Sequence, residues 1–276
     1  MSCGLDEEQL AALAAECIKC KARPAQAVVR QKDALCQDCL HDMLLLAVRR
    51  AVRAPGLIAP GDRVLVAVSG GPASRALLHL LKELHNPDAA GGLKRSKVAF
   101  ELAIVHVAEG AAHALAPEDS AAAADAVRAA MEATDYELPF HCLALEDVFA
   151  EDCNAADDLR GTTNAAAMGL GGAGFATSAG MRAERRKQLA ALLAAVPDVT
   201  GREDLVEALR LRLLLTAAAA LGCNRLALGD SATRLAVRAI ALAAKGAGHA
   251  LPAALQHYDA RHGLGAPAVV RPTPLA

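Results

Sequence analysis

A chain of 276 residues allows one main domain with a small appendage and excludes a three-domain protein. Its formal net charge is −2, so it has no overall basic field, and contact with nucleic acid would depend on local patches. Its longest apolar runs are shorter than the ~18 residues of a membrane-spanning helix, which excludes such a helix. The acidic N-terminus resembles neither a signal peptide nor a transit peptide, and we expect a cytosolic or nuclear protein.

The first chemical motif is a pair of C-x2-C sequences separated by fifteen residues. Each C-x2-C turn directs two thiolates to one point, and four thiolates form the tetrahedral site that zinc prefers. The alternatives are four cysteines without a metal, or a redox C-x-x-C, which needs only one pair. We predict a structural zinc module over residues 1–54, with a hairpin and then a helix from about 40 to 53. Its ligands are Cys17, Cys20, Cys36 and Cys39.

The rest of the chain, residues 55–276, is predicted to form an α/β domain. Apolar runs of strand length alternate with runs of helical periodicity, and this order predicts a parallel sheet with helices on both faces. A segment over about 151–183 has no clear periodicity and is predicted to be a flexible insertion. The predicted elements are strands at 63–68, 98–107, 138–145 and 225–228, a last strand starting near Val269, and helices from about 73, at 118–134, 203–221 and 233–245.

Two turns between a strand and a helix contain candidate binding residues. In the first, Ser69-Gly-Gly-Pro, glycines let the backbone approach an anion and the following helix offers unpaired N–H groups. The second, after the strand at 225–228, should lie in the same crevice, because loops at the carboxyl ends of parallel strands meet there. The alternatives are a plain turn for the first and a helix cap for the second. The candidates are Ser69, Gly70, Gly71, Ser74, Gly229, Asp230 and Ser231.

The remaining histidines, cysteines and basic clusters are not predicted to form a site by their spacing. Isolated histidines such as His79, His106 and His141 are interpreted as core or surface residues. Single cysteines are interpreted as buried or incidental. Three basic clusters are more typical of solvated faces than of a nucleic-acid site, and each is a candidate for phosphate contact. These clusters are Arg49, Arg50 and Arg53, then Lys94, Arg95 and Lys97, then Arg185, Arg186 and Lys187, and the single cysteines are Cys142, Cys153 and Cys223.

Several short motifs, taken in order, resemble the second subunit of the cytosolic tRNA 2-thiolation complex. They are Ile18-Lys-Cys-Lys, Ala34-Leu-Cys-Gln-Asp-Cys-Leu, Ser69-Gly-Gly-Pro, Val105-His-Val-Ala-Glu-Gly, Leu145-Glu-Asp-Val-Phe and Leu228-Gly-Asp-Ser-Ala-Thr-Arg-Leu-Ala. That family is related to the adenylating PP-loop enzymes. The resemblance implies a PP-loop fold, a cytoplasmic location and a role in thiolation of the tRNA wobble uridine. Members of that family normally have a further C-terminal region, and the sequence alone does not decide whether this chain is a fragment.

The chain departs from the catalytic PP-loop pattern at both turns. Where the enzymes have Lys-Asp, this chain has Pro72 and Ala73, and where they have later carboxylates, it has Thr233, Arg234 and Val237. Magnesium needs hard oxygen ligands, which these side chains do not provide in the required number. The catalytic thiolases also use a Cys-x-x-Cys and a later cysteine, whereas this chain has only single cysteines there. Adenylation by this chain is therefore not expected.

We predict a non-catalytic subunit that pairs with a homologous catalytic thiolase and helps to position tRNA. The resemblance implies that the catalytic partner adenylates the uridine, and that sulfur arrives as a thiocarboxylate on a ubiquitin-related modifier. No membrane partner is expected. Whether ATP still binds is left open by the sequence. The alternatives are an independent ATP-dependent PP-loop enzyme and a nucleotide-binding regulator without catalysis.

Overall fold

A computed structural model describes residues 16–29, 33–53, 57–85, 99–134, 138–150, 179–263 and 265–272. The chain also has two short 3-10 helices, Leu145–Phe149 and Gly248–Ala250, beside its strands and α-helices. The strands and α-helices are the main elements. In chain order these are β1 (Ala27–Val29), β2 (Asp33–Leu35), α1 (Gln37–Arg53), β3 (Arg63–Ala67), α2 (Pro72–Leu84), β4 (Glu101–Ala108), α3 (Pro117–Glu132), β5 (Phe140–Ala144), α4 (Ala179–Ala194), α5 (Val199–Ala220), β6 (Arg225–Leu228), α6 (Ala232–Ala244), α7 (Leu251–Leu255), β7 (Tyr258–Asp259) and β8 (Ala268–Val270).

Six strands form one sheet in the order β5-β4-β3-β6-β8-β7. Its first five strands are parallel, and only the short edge strand β7 runs antiparallel to its neighbour β8. The chain leaves β3 toward β4 and β5, and it later returns to β6 on the other side of β3. The loops after β3 and β6 thus flank the point where the strand order reverses, which is where ligands bind in open parallel sheets.

Helices cover both faces of this sheet, which confirms the predicted fold class. Alternate strand residues point to opposite faces. Val64 and Val66 of β3 pack against α1 and α2, while Leu65 between them packs against α5. The apolar face of α2 follows helical spacing, with Leu77, Leu78 and Leu81 buried. This double coverage explains why the strands are apolar on both faces.

The head, residues 16–53, contains the antiparallel pair β1–β2 and the helix α1. The predicted hairpin is present, and the helix starts at Gln37, earlier than about 40. The second half of α1 lies on the sheet, where Val48 and Val52 are fully buried in the main core. One helix therefore connects the cysteine module to the α/β layer.

Two features of the second half were not predicted. The helix α4 begins at Ala179, inside the segment predicted as an insertion, and residues 151–178 of that segment lie outside the described part of the chain. The last strand predicted near Val269 is present as β8, but the short strand β7, which pairs antiparallel with it, was not predicted. Within the described residues, no helix has the length and apolar character needed to cross a membrane.

Candidate functional site

The four predicted zinc ligands come together in the head. Their sulfur atoms all lie within 4.8 Å of one another. Cys17 is fully buried, Cys36 and Cys39 are buried, and Cys20 is exposed. Cys17 and Cys20 lie in the turn before β1, whereas Cys36 follows β2 and Cys39 lies in the first turn of α1. The hairpin thus folds the second pair back onto the first.

The spacing of these sulfurs fits a single metal ion. Four sulfurs at ~2.3 Å from a tetrahedral zinc ion lie about 3.8 Å apart. The Sγ atoms of Cys20 and Cys36 are 3.8 Å apart. In a [4Fe-4S] cluster each cysteine binds a different iron, which requires a wider arrangement of sulfurs. The head is therefore shaped for one ion that accepts four thiolates, a class that includes zinc and mononuclear iron.

Backbone groups prepare one of these thiols for metal binding. The N–H groups of Cys20 and then of Cys36 donate to the Cys17 sulfur and lower the pKa of that thiol to about 6. Burial raises the pKa of the Cys39 thiol to about 12, and its cysteine neighbours act in the same direction. A divalent cation bound by all four sulfurs would bind them as thiolates, because a metal ion favours the deprotonated form of a coordinating cysteine.

The turn after β3 has the geometry of an anion-binding loop. Gly70 adopts a φ of +82°, which favours glycine, and Gly71 caps α2 with Pro72 as the first helical residue. The hydroxyl of Ser74 accepts a hydrogen bond from the Ser69 N–H at 3.2 Å and donates to the Gly71 carbonyl at 3.1 Å. The loop is thus closed by Ser74, which is itself buried.

The two predicted turns lie against each other, as expected from the parallel sheet. A Cβ atom added at Gly229 would lie 2.6 Å from the Ser74 Cα and 3.0 Å from the Ser74 N. Both atoms belong to the backbone at the start of α2. Only glycine permits so close an approach. The turns after β3 and β6 therefore form one wall.

A cavity of about 640 Å³ opens beside this wall at the carboxyl ends of the strands. Five of the predicted binding residues line it, whereas Gly70 and Ser231 do not. The Ser231 hydroxyl instead accepts a hydrogen bond from the Arg234 N–H and caps α6, the alternative left open by the sequence. The predicted residues on the wall are Ser69, Gly71, Ser74, Gly229 and Asp230.

Each of the three carboxylates on the described cavity wall contacts an arginine. Asp230 accepts a hydrogen bond from Arg271 at 3.0 Å. Arg210 donates through two nitrogens to both carboxylate oxygens of Glu109, with 2.8 Å between Nη2 and Oε2. Although burial opposes its charge, this bonding keeps the pKa of Arg210 above its ordinary value. The third pair joins Glu207 and Arg238.

The cavity wall therefore carries more positive than negative charge. Beyond the three pairs, Arg234 also lines the cavity. The residues that replace the catalytic PP-loop residues lie where the sequence predicted. Pro72 and Ala73 are the first residues of α2, and Val237 is exposed. Carboxylates engaged by arginine are poor magnesium ligands, because the cation would have to replace an existing ion pair. The wall suits an anion better than a magnesium nucleotide.

His106 contributes a buried imidazole to the same cavity. Its Nδ1 lies 2.8 Å from the carbonyl oxygen of Val68 at the end of β3. Burial lowers the pKa of His106, outweighing the bond to Val68 and the charge of Glu109. Because a carbonyl can only accept, the neutral ring carries its proton on Nδ1 and leaves Nε2 as an acceptor.

Sequence reasoning did not identify Arg271, Glu109 and Arg210 as residues of this wall. Arg271 is 4% exposed and immediately follows β8, and Glu109 immediately follows β4. The rule that selected the turns after β3 and β6 also applies to these two residues, so the position of each strand end was a usable signal. Arg210 lies within α5, and the sequence offers no comparable signal for it.

The remaining candidates have structural contacts or lie outside the described residues. Arg185 lies 3.4 Å from Asp147, and Arg186 donates to the Leu115 carbonyl. Burial raises the pKa of Cys223 to about 11 and also raises the pKa of Cys142, which disfavours a reactive thiolate at either position. The cluster of Lys94, Arg95 and Lys97 and the residue Cys153 lie outside the described part of the chain.

Comparison with known proteins supports the family resemblance. No protein-family model matches the chain. A protein of Bos taurus named cytoplasmic tRNA 2-thiolation protein 2 is 32% identical over 279 residues, which cover 90% of this chain and 53% of the relative. Proteins of the same name from Homo sapiens and Arabidopsis thaliana are 29% and 30% identical, covering 90% and 89% of this chain and 53% and 49% of the relatives. The resemblance inferred from the motifs is thus confirmed, and the chain spans about half the length of the curated relatives it matches.

A solved structure shares the fold. The U34-tRNA thiolase NcsA from Methanococcus maripaludis with its [4Fe-4S] cluster superposes with a TM-score of 0.59. The match covers 94% of this chain and 68% of the thiolase chain at 15% sequence identity. At this identity the likeness concerns the fold alone.

Proposed function

We propose that this chain is a non-catalytic part of the machinery that 2-thiolates the wobble uridine of cytoplasmic tRNAs. It acts beside a homologous catalytic thiolase, which adenylates the uridine and receives sulfur from a thiocarboxylated ubiquitin-related modifier. Its own contributions are the PP-loop-like fold, the metal-stabilised head and surfaces for assembly and tRNA positioning. We place it in the cytoplasm, in line with the names of its relatives.

The observation that carries this proposal is the similarity of about nine-tenths of the chain to proteins named cytoplasmic tRNA 2-thiolation protein 2. We further propose that the head holds one zinc ion through Cys17, Cys20, Cys36 and Cys39, whose sulfurs have the spacing of a single tetrahedral site. Four protein ligands leave no open position, so this ion would stabilise structure rather than bind substrate.

The cavity supports the non-catalytic part of the proposal. Adenylation requires magnesium and a cation that contacts the transferred phosphates. The positions that should hold a lysine and a magnesium-binding carboxylate are Pro72 and Ala73, and the wall carboxylates are held by arginines. The described cysteines of the α/β domain are also unsuited to sulfur transfer, because burial disfavours their thiolates.

A nucleotide-binding regulator is a second candidate. The surplus arginine on the wall and the Ser69–Ser74 loop favour this candidate, since together they could hold a phosphate group without a metal. Equilibrium binding of ATP to the purified chain, with and without magnesium, separates the candidates. Metal-independent binding without pyrophosphate release supports the regulator, and release with turnover supports an independent PP-loop enzyme.

The direct test is the level of 2-thiouridine in tRNA from cells that lack this protein. We expect thiolation to be lost and to return when the intact protein is expressed. Nucleoside mass spectrometry measures the modification, and co-purification identifies the catalytic partner. Normal thiolation in the deleted cells would refute the proposed role.

Basic residues of the head offer a test of tRNA positioning. Arg50 is exposed at the end of α1, near Arg49 and Arg53. If these residues bind phosphates, their joint neutralisation should lower the slope of log affinity against log salt by roughly 0.7–0.9 for each phosphate that is no longer bound. Base preference should remain unchanged, since phosphate contacts carry no sequence information.

A further inference from the structure

A second group of metal-binding side chains lies between α1 and α2, outside the four-cysteine site. It contains His41 of α1 with His79 and Glu83 of α2, and the ligand atoms of all three lie within 4.8 Å of one another. His79 and Glu83 are four residues apart and share one helix face. His41 reaches them from the neighbouring helix. The sequence interpretation of His79 as an isolated core or surface residue did not foresee this cluster.

The Nε2 atoms of both imidazoles lie close to the same carboxylate oxygen. Glu83 Oε1 lies 3.0 Å from His41 Nε2 and 3.1 Å from His79 Nε2. Ligands at 2.0–2.1 Å from a tetrahedral ion lie about 3.3 Å apart. The two measured distances are close to this edge length. A single ion can therefore contact all three atoms after small adjustments of the side chains.

The hydrogen bonding of His41 is incomplete in a way that a metal would explain. Its Nε2 is shielded from solvent and makes no hydrogen bond among the described residues, even though Glu83 Oε1 lies 3.0 Å away. The oxygen is near enough, but it does not lie where a ring N–H would point. Two ligands of one ion face the ion rather than each other, so they show short separations with poor hydrogen-bond alignment.

We propose that His41, His79 and Glu83 bind a second divalent metal ion, of the class that zinc and cobalt represent. Two imidazoles and a carboxylate suit such borderline ions and leave at least one position for water. The ion joins α1, which carries Cys39, to α2, which begins at the Ser69–Ser74 loop. It thus fastens the cysteine module to the helix that forms the cavity wall.

Metal stoichiometry and cobalt absorption of the intact chain test this proposal. With excess Zn²⁺ followed by removal of free metal, we expect about two ions per chain by mass spectrometry. Cobalt in the four-cysteine site gives strong thiolate charge-transfer absorption, whereas cobalt bound by nitrogen and oxygen gives only weak visible bands. We expect His79→Ala to remove one ion and the weak bands and to preserve the thiolate bands.

Two further variants distinguish a metal site from a cluster held by hydrogen bonds alone. Glu83→Gln retains an oxygen that can accept from both histidines but removes the negative charge, so a hydrogen-bonded cluster would tolerate it and a metal site would lose its ion. His249→Ala changes an exposed histidine elsewhere and should leave both ions bound. A single ion in the intact chain, or two ions retained in His79→Ala, would overturn the proposal.

Discussion

The cysteine head and the cavity of the α/β domain differ in how their residues are held. In the head, three of the four predicted metal ligands form most of the core, because the buried cluster consists of Cys17, Leu35, Cys36 and Cys39. In the cavity, the polar residues stand on a sheet whose aliphatic core is complete without them. We therefore expect the fold of the head to depend on a bound metal, whereas the cavity should keep its shape when its polar residues change.

The largest expected effect is the loss of the head when one cysteine is replaced. Structural zinc contributes roughly 10–16 kcal/mol of apparent binding free energy in small modules, and this head has little other core. Cys36→Ser should abolish metal binding at the four-cysteine site and the local order around it while the sheet remains folded. Metal analysis and amide hydrogen exchange measure the two effects.

Cys142→Ser is the matched control, because Cys142 lies on β5 outside the cluster. This variant should retain the metal. An intact chain without bound metal after refolding in zinc would contradict the prediction for the head.

The next effect concerns the contact between the two turns of the cavity. Gly229→Ala places a methyl group 2.6 Å from the Ser74 Cα, and a backbone atom cannot move aside as a side chain can. Overpacking of this kind costs about 1–3 kcal/mol. We expect that loss in the free energy of unfolding by urea.

Gly248→Ala adds the same methyl group where no atom lies within 4 Å. Its unfolding midpoint should stay close to that of the unchanged chain. Equal effects of the two substitutions would mean that the turns are not held as closely as the structure shows.

A smaller effect follows from burial of His106. Its folded-state pKa is lowered by burial, so the unfolded chain binds a proton more readily. Stability should be fully present above the ordinary pKa of about 6.5 and should fall as the pH decreases below it. His106→Gln removes this titration and should flatten the decline in unfolding free energy between about pH 7 and pH 5.

His141 has the same direction of pKa shift from burial, so part of the decline should persist in His106→Gln. His249→Gln changes an exposed histidine outside both buried positions and is the matched control. A profile unaffected by His106→Gln would mean that this ring is protonated as easily in the folded chain as in the unfolded one.

The head could be predicted well from the sequence because its ligands are close together along the chain. Two C-x2-C pairs specify four ligands by spacing alone, and the parallel sheet followed from the alternation of apolar runs. The arginine pairs could not be predicted in the same way. Arg271 and Asp230 are 41 residues apart, and Arg210 and Glu109 are 101 residues apart. The metal-binding group between α1 and α2 was missed for the same reason, since helix packing decides which histidine reaches the other helix.

The smallest expected effect is the absence of a gain. Pro72→Lys with Ala73→Asp restores the residues of the catalytic loop at the start of α2. The added lysine would join a wall that already has a surplus arginine, and the added carboxylate would stand alone, because Thr233, Arg234 and Val237 still replace the later group. Magnesium bound by one carboxylate and no oriented phosphate has no path to adenylation. We expect no pyrophosphate release from ATP above that of the unchanged chain, measured in a single turnover with tRNA present.

A catalytic thiolase assayed in parallel establishes that the conditions support turnover, and thermal melting establishes that the double variant is folded. Clear release by the folded double variant would mean that the loop alone separates this chain from an active enzyme, and the arginine pairs would then have to open when nucleotide binds.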